Sequence, residues 1–110
     1  MKRARGGVYA IKCQSTDMIY IGATGNLAER KAQHFSRLKC GRHHHPQLQA
    51  DYDTHGKAHF AWHVVLYSDS DAERMRLESA LVALLQSNRL VYNKHIAAHH
   101  LADGQLGSLA

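Results

Sequence analysis

The clearest periodicity in the chain lies between His59 and Tyr67, where Phe60, Trp62, Val64 and Leu66 alternate with His59, Ala61, His63, Val65 and Tyr67. A period of two puts one row on each face of a β-strand. Two earlier runs have the same character. In Gly7 to Cys13, Val8, Ala10 and Lys12 alternate with Tyr9, Ile11 and Cys13, and Met18 to Gly22 is rich in β-branched and aromatic residues. The polar stretch Gln14 to Asp17 between these runs reads as the turn of a β-hairpin.

Helix signals fill the spaces between the strands. Asn26 with Glu29 three residues on, and Ser70 with Glu73, have the form of capping boxes: the cap side chain accepts an orphan N–H and the glutamate reaches back. A helix is expected from Leu27, with Leu27, Lys31, His34, Phe35 and Leu38 at helical spacing, ending at Cys40-Gly41. Pro46 suits the first position of a second helix running to about His55-Gly56. After Ser70 a third helix offers Leu77, Ala80, Leu81, Leu84 and Leu85 as an apolar face and ends near Ser87-Asn88. Leu90 to Asn93 is a short last segment, either a strand or a turn. Residues 1–100 are expected to form a single domain and 101–110 a frayed tail.

At 110 residues the chain has room for one domain. Its longest unbroken apolar run is the six residues Ala80 to Leu85, where a bilayer span needs roughly 20. The basic start, Met1 to Arg5, runs into Gly6-Gly7 with no signal-peptide core behind it. Cys13 and Cys40 make neither a disulfide framework nor a metal clamp, so a reducing, cytoplasmic location is expected. Charge is more discriminating. Residues 1–50 carry nine basic and two acidic side chains, and residues 51–110 carry five and seven, so the net +5 is concentrated in the first half. A one-sided basic surface suits a polyanion, most commonly a phosphate backbone.

Ten histidines raise the question of zinc. His43, His44 and His45 are consecutive, however, and consecutive loop residues cannot all converge on one ion as spaced ligands do. An alternative use of the turn Gly41 to His45 is to add charge beside a polyanion as pH falls, with Lys31, Arg37, Lys39 and Arg42 around it.

Several residues fall in a recognisable order: Gly7-Val8-Tyr9, then Tyr20-Ile21-Gly22 with its tyrosine eleven positions after Tyr9, then Arg30 ten residues later and His34 one helical turn on, then Glu78 on a late helix 48 residues beyond Arg30, and Asn93 near the end. Over roughly residues 6–95 this resembles the GIY-YIG nuclease family, and the middle stretch from Gly41 to Gly56 is similar to its phage and intron homing members. Val8 departs from the family name, but valine and isoleucine are both β-branched. The resemblance implies an α/β (α+β) fold, a small three-stranded antiparallel sheet flanked by helices. It also implies a divalent-metal-dependent DNA endonuclease. In that reading Glu78 binds one Mg²⁺ or Mn²⁺, Arg30 clamps the phosphate and Tyr9 is the general base. Tyr20 positions water or phosphate, His34 assists either the phosphate or a tyrosine, and Asn93 contacts phosphate or braces the metal site. Lys31, Arg37, Lys39, Arg42, His43 and His44 form the nucleic-acid-binding surface. A non-catalytic nucleic-acid-binding module on the same fold is the alternative. No appended recognition domain is evident, so DNA shape, a partner protein or a homodimer is expected to set specificity.

Overall fold

The structure, a computed structural model, describes residues 5–87 and 90–92. Asn93, the end of the expected domain and the tail 101–110 lie outside the described residues. Strand β1 (Gly7–Cys13) is central in an antiparallel sheet of order β2-β1-β3, with β2 (Ile19–Thr24) and β3 (Phe60–Tyr67) at its sides. Three α-helices follow the expected positions: α1 (Leu27–Lys39), α2 (Pro46–His55) and α3 (Asp71–Gln86). Among the described residues, no helix is long and apolar enough to cross a membrane.

The hairpin closes as its turn chemistry allows. Cys13 N–H donates to the Met18 carbonyl at 2.9 Å, and Asp17 takes a positive φ of 64°, a conformation that short polar residues tolerate better than bulky ones. Alternation along β1 then divides the core into two layers. Tyr9, Ile11 and Cys13 join Tyr20, Leu38, Leu48, Phe60 and Tyr92 beneath α1 and α2, while Val8, Ala10, Ile21, Val82 and Val91 pack on the α3 side. Leu90 to Tyr92 runs beside the start of β2, where Val91 forms a single parallel bridge to Ile19.

Three local expectations are corrected. The capping side chains act as expected, Asn26 accepting from Glu29 N–H and Ser70 from Glu73 N–H, each at 3.1 Å. The cap N–H groups, however, go to hydroxyls two residues upstream, Asn26 to Thr24 at 3.1 Å and Ser70 to Ser68 at 3.2 Å, in place of the reaching glutamates. Second, Leu66 leaves the face of Phe60, Trp62 and Val64. A bulge lies between Val8 and Tyr9, which pair with Leu66 and Val64 respectively. The extra β3 residue reverses the alternation, so Leu66 borders a surface hollow with Leu77 and Ala80 of α3. Third, the buried stripe of α3 is Arg74, Glu78 and Val82, with Leu77, Leu81 and Leu85 partly buried beside it, and Leu84 is 62% exposed. At about 100° per residue, position 84 lies nearly opposite 82.

Helix α1 ends in a Schellman turn. Gly41 has φ 72°, its N–H donates to the Leu38 carbonyl at 3.2 Å, and Arg42 N–H donates to the Arg37 carbonyl at 2.8 Å. This reversal brings the three consecutive histidines back beside the helix they follow.

Candidate active site

A cleft of about 510 Å³ opens where α1 and α3 flank the end of β2. Tyr20 comes to it from β2, Arg30, His34 and Arg37 from α1, and Arg74 and Glu78 from α3, with His44 at the rim. Positions 30, 34 and 37 follow helical spacing, so one face of α1 supplies two guanidiniums with a histidine between them.

Tyr9 lies behind this wall and is 1% exposed. Its ring stacks on Trp62 with centroids 4.4 Å apart and planes inclined by 15°, and its Oη is 2.5 Å from His34 Nε2. Both motif glycines make room here. A Cβ on Gly22, directly across the ladder from Tyr9, would fall on the tyrosine hydroxyl, and one on Gly7 would strike the Leu66 carbonyl at the bulge. Burial, then the neighbouring Tyr20, hold the Tyr9 phenol above its ordinary range, against the opposing charge and hydrogen bond of Arg30. Burial and the charge of Glu78 push Tyr20 up to about 12, with Arg30 again opposing. Its hydroxyl lies 3.2 Å from His44 Nε2.

Glu78 is 1% exposed, yet it borders the cleft. Its Oε1 accepts no hydrogen bond from the described residues, while its charge is felt by both tyrosines. Arg74, one turn earlier, donates to Asp71 and, at 2.7 Å, to the Ser68 carbonyl. As donors, a buried carboxylate facing an open, water-accessible cleft fits a hard divalent cation, which takes oxygen ligands and retains water. Among the described residues, no group of three His, Cys, Asp or Glu side chains is placed to hold a metal ion.

The three consecutive histidines have three different environments. His44 is exposed and meets Tyr20. His45 caps α2, its Nδ1 accepting Leu48 N–H at 3.3 Å and its Nε2–H donating to the Tyr92 carbonyl at 2.9 Å. His43 is only 8% exposed, and its Nε2 is 2.7 Å from His34 Nδ1. The expectation that His43 lies on the DNA-facing surface is therefore corrected: the Schellman turn folds it inward against His34. Burial first, then the neighbouring histidines, lower His34 to about 3 and His43 to about 4, with the nearby arginines adding to the effect. Lys31, Arg37, Lys39 and Arg42 are exposed, and Arg37 lines the cleft. Arg74 was not legible as a cleft residue, because an i,i+4 arginine and glutamate also describe an ordinary solvated helix face.

A tyrosine on each of two neighbouring strands is thus faced by arginine, histidine and glutamate from two helices. The sequence profile described as the GIY-YIG catalytic domain matches residues 5–93, and the chain belongs to that family of nucleases. Two solved structures share the fold. The catalytic domain of the homing endonuclease I-TevI has a TM-score of 0.72 at 24% identity, with 80% of this chain and 96% of that one covered. A glutamate-to-alanine mutant of the catalytic domain of intron endonuclease I-TevI gives 0.72 at 23% identity, with 81% and 92% covered. No curated protein matches.

Proposed function

We propose that this chain is a divalent-metal-dependent DNA endonuclease that hydrolyses phosphodiester bonds in the cleft between α1 and α3. The observation that carries this reading is the convergence of Tyr20, Arg30 and Glu78, from three separate elements, with Tyr9 joined to His34 directly behind them. Hydrolysis requires a water to lose a proton and the charge on a five-coordinate phosphate to be neutralised. Arg30 supplies a planar fork of donors matched to phosphate oxygens. Glu78 holds the Mg²⁺ or Mn²⁺, for which one carboxylate is a sufficient protein ligand. The ion, when bound, supplies Lewis-acid neutralisation of the phosphate charge.

Tyr9 is the general base. Its oxygen lies within hydrogen-bond reach of His34 and is attracted by Arg30, and a donor at either place favours the phenolate that burial disfavours. Tyr20 orients the water or the phosphate through its hydroxyl. Lys31, Arg37, Lys39 and Arg42, with His44 at the rim, track the DNA backbone, and Asn93 contacts phosphate or braces the metal site. Specificity comes from DNA shape, a partner protein or a homodimer.

A panel of labelled duplex, single-stranded and branched DNA tests the activity. At least one member should be cut with Mg²⁺ or Mn²⁺, EDTA should stop the cutting, and added metal should restore it. An intact panel with either metal would contradict the reading.

A further inference from the structure

We propose that His43 is a positioning residue: it locks His34 into the tautomer that carries its proton on Nε2, so that His34 donates to Tyr9 and does not take a proton from it. This deepens the reading of Tyr9 as the reacting base and rests on it.

The direction of the chain of bonds is set by one group with no choice of role. The backbone N–H of His45 can only donate, and it lies 3.0 Å from His43 Nδ1. That nitrogen must therefore be unprotonated. A neutral His43 then carries its proton on Nε2, which faces His34 Nδ1 at 2.7 Å. His34 Nδ1 must accept, so the His34 proton is on Nε2, 2.5 Å from the Tyr9 oxygen. A charged ring at either histidine would set two N–H donors against each other. The low proton affinity that burial gives both rings agrees with this.

The rest of the turn holds the donor in place. His43 N–H donates to Gln49 Oε1 at 3.0 Å, and Gln49 Nε2 donates to the Leu38 carbonyl at 2.9 Å. His45 is fixed by its capping bond to Leu48 and its bond to the Tyr92 carbonyl. The backbone of the turn thus dictates a proton position two rings away. For Tyr9 the consequence is specific. Its oxygen receives the His34 N–H, its own proton points elsewhere, and a phenolate formed there keeps the His34 donor in place. His34 Nε2 has no free lone pair with which to act as the base for the phenol.

Long-range ¹H–¹⁵N spectra of the histidine rings in the full chain, without DNA or metal, read the tautomer directly. His34 should show a protonated Nε2 and an unprotonated Nδ1. His43→Leu removes the donor and should let His34 populate both tautomers, while the saturating cleavage rate falls about tenfold, the worth of one hydrogen bond, with KM unchanged. His43→Gln presents an amide N–H to His34 and should recover both the tautomer and most of the rate. A wild-type His34 protonated on Nδ1 would overturn the proposal, as would a His43→Leu variant with wild-type tautomer and rate. If the chain cuts no DNA, the reading of Tyr9 as base falls, yet the wild-type spectrum still decides the tautomer.

Discussion

Tyr9 combines two opposed influences: burial, with Tyr20 and Glu78, holds its proton on, and the charge and hydrogen bond of Arg30 favour the anion. With its pKa raised above the ordinary 10.0, the phenolate fraction grows about tenfold per pH unit throughout the range below that value. The logarithm of the single-turnover rate should therefore climb with pH into the alkaline range. Tyr9→Phe should abolish that dependence and lower the rate by about 100-fold or more, leaving Tm nearly unchanged. A Tyr9→Phe rate within a few-fold of wild type would remove the phenol from the chemistry. Buried His34 and His43 act on stability in the other direction of pH. Both have folded values well below the ordinary 6.5, at about 3 and about 4, so between these limits the unfolded chain binds more protons than the folded one. Their neutral burial is fully tolerated above 6.5, and stability is lost as pH falls from there toward 4. Thermal melts from pH 7 to pH 4 should show this loss, and His43→Gln should reduce it. A histidine-to-glutamine change that leaves the acid-side slope intact would assign the loss to other groups. The order of Tyr9, Tyr20, Arg30, His34 and Glu78 was visible in the sequence because each lies on a regular element. The inward turn of His43 was not, since it depends on a helix ending that reverses the chain by three-dimensional geometry.

Capping shows how far elements can be deduced locally. The Asn26 and Ser70 side chains were legible as caps, but the partner of each cap N–H was not, because a hydroxyl two residues upstream competes with the glutamate three residues downstream. Chemical denaturation should find a loss of about 1 kcal/mol for Asn26→Ala and for Ser70→Ala, but under about 0.5 kcal/mol for Glu29→Ala. Equal losses for Asn26→Ala and Glu29→Ala would restore the reciprocal box. Strand β3 carries the same lesson. Its alternation announced a strand, whereas the bulge that moves Leu66 to the α3 side depends on pairing with β1. In α3, counting leucines favoured a face through Leu84. The real face is centred on Glu78 and Val82, and its Glu78 end borders the cleft.

Across the described residues, the sheet separates two apolar layers and leaves the cleft side chains at the β2 side, where α1 and α3 approach one another. The basic excess of the first half is carried largely by α1 and the turn after it, with Arg37 on the cleft wall and Lys31, Lys39 and Arg42 exposed. Contacts from such side chains go mainly to phosphates, which position DNA without reading its sequence. Binding should accordingly be salt-sensitive and nearly sequence-blind, and replacing Lys39 and Arg42 by Ala should reduce the slope of log K against log salt by up to about 2. An unchanged slope, or a single sharply preferred sequence on random DNA, would contradict that picture. Glu78, buried at the cleft, is proposed to serve the chemistry and not the fold. Glu78→Gln keeps the shape and removes the charge, so DNA binding and cleavage by this variant should be measured side by side with the unmodified protein in Mg²⁺. DNA binding should stay close to that of the unmodified chain with no detectable cleavage; cleavage near the unmodified rate would contradict the proposed role of Glu78.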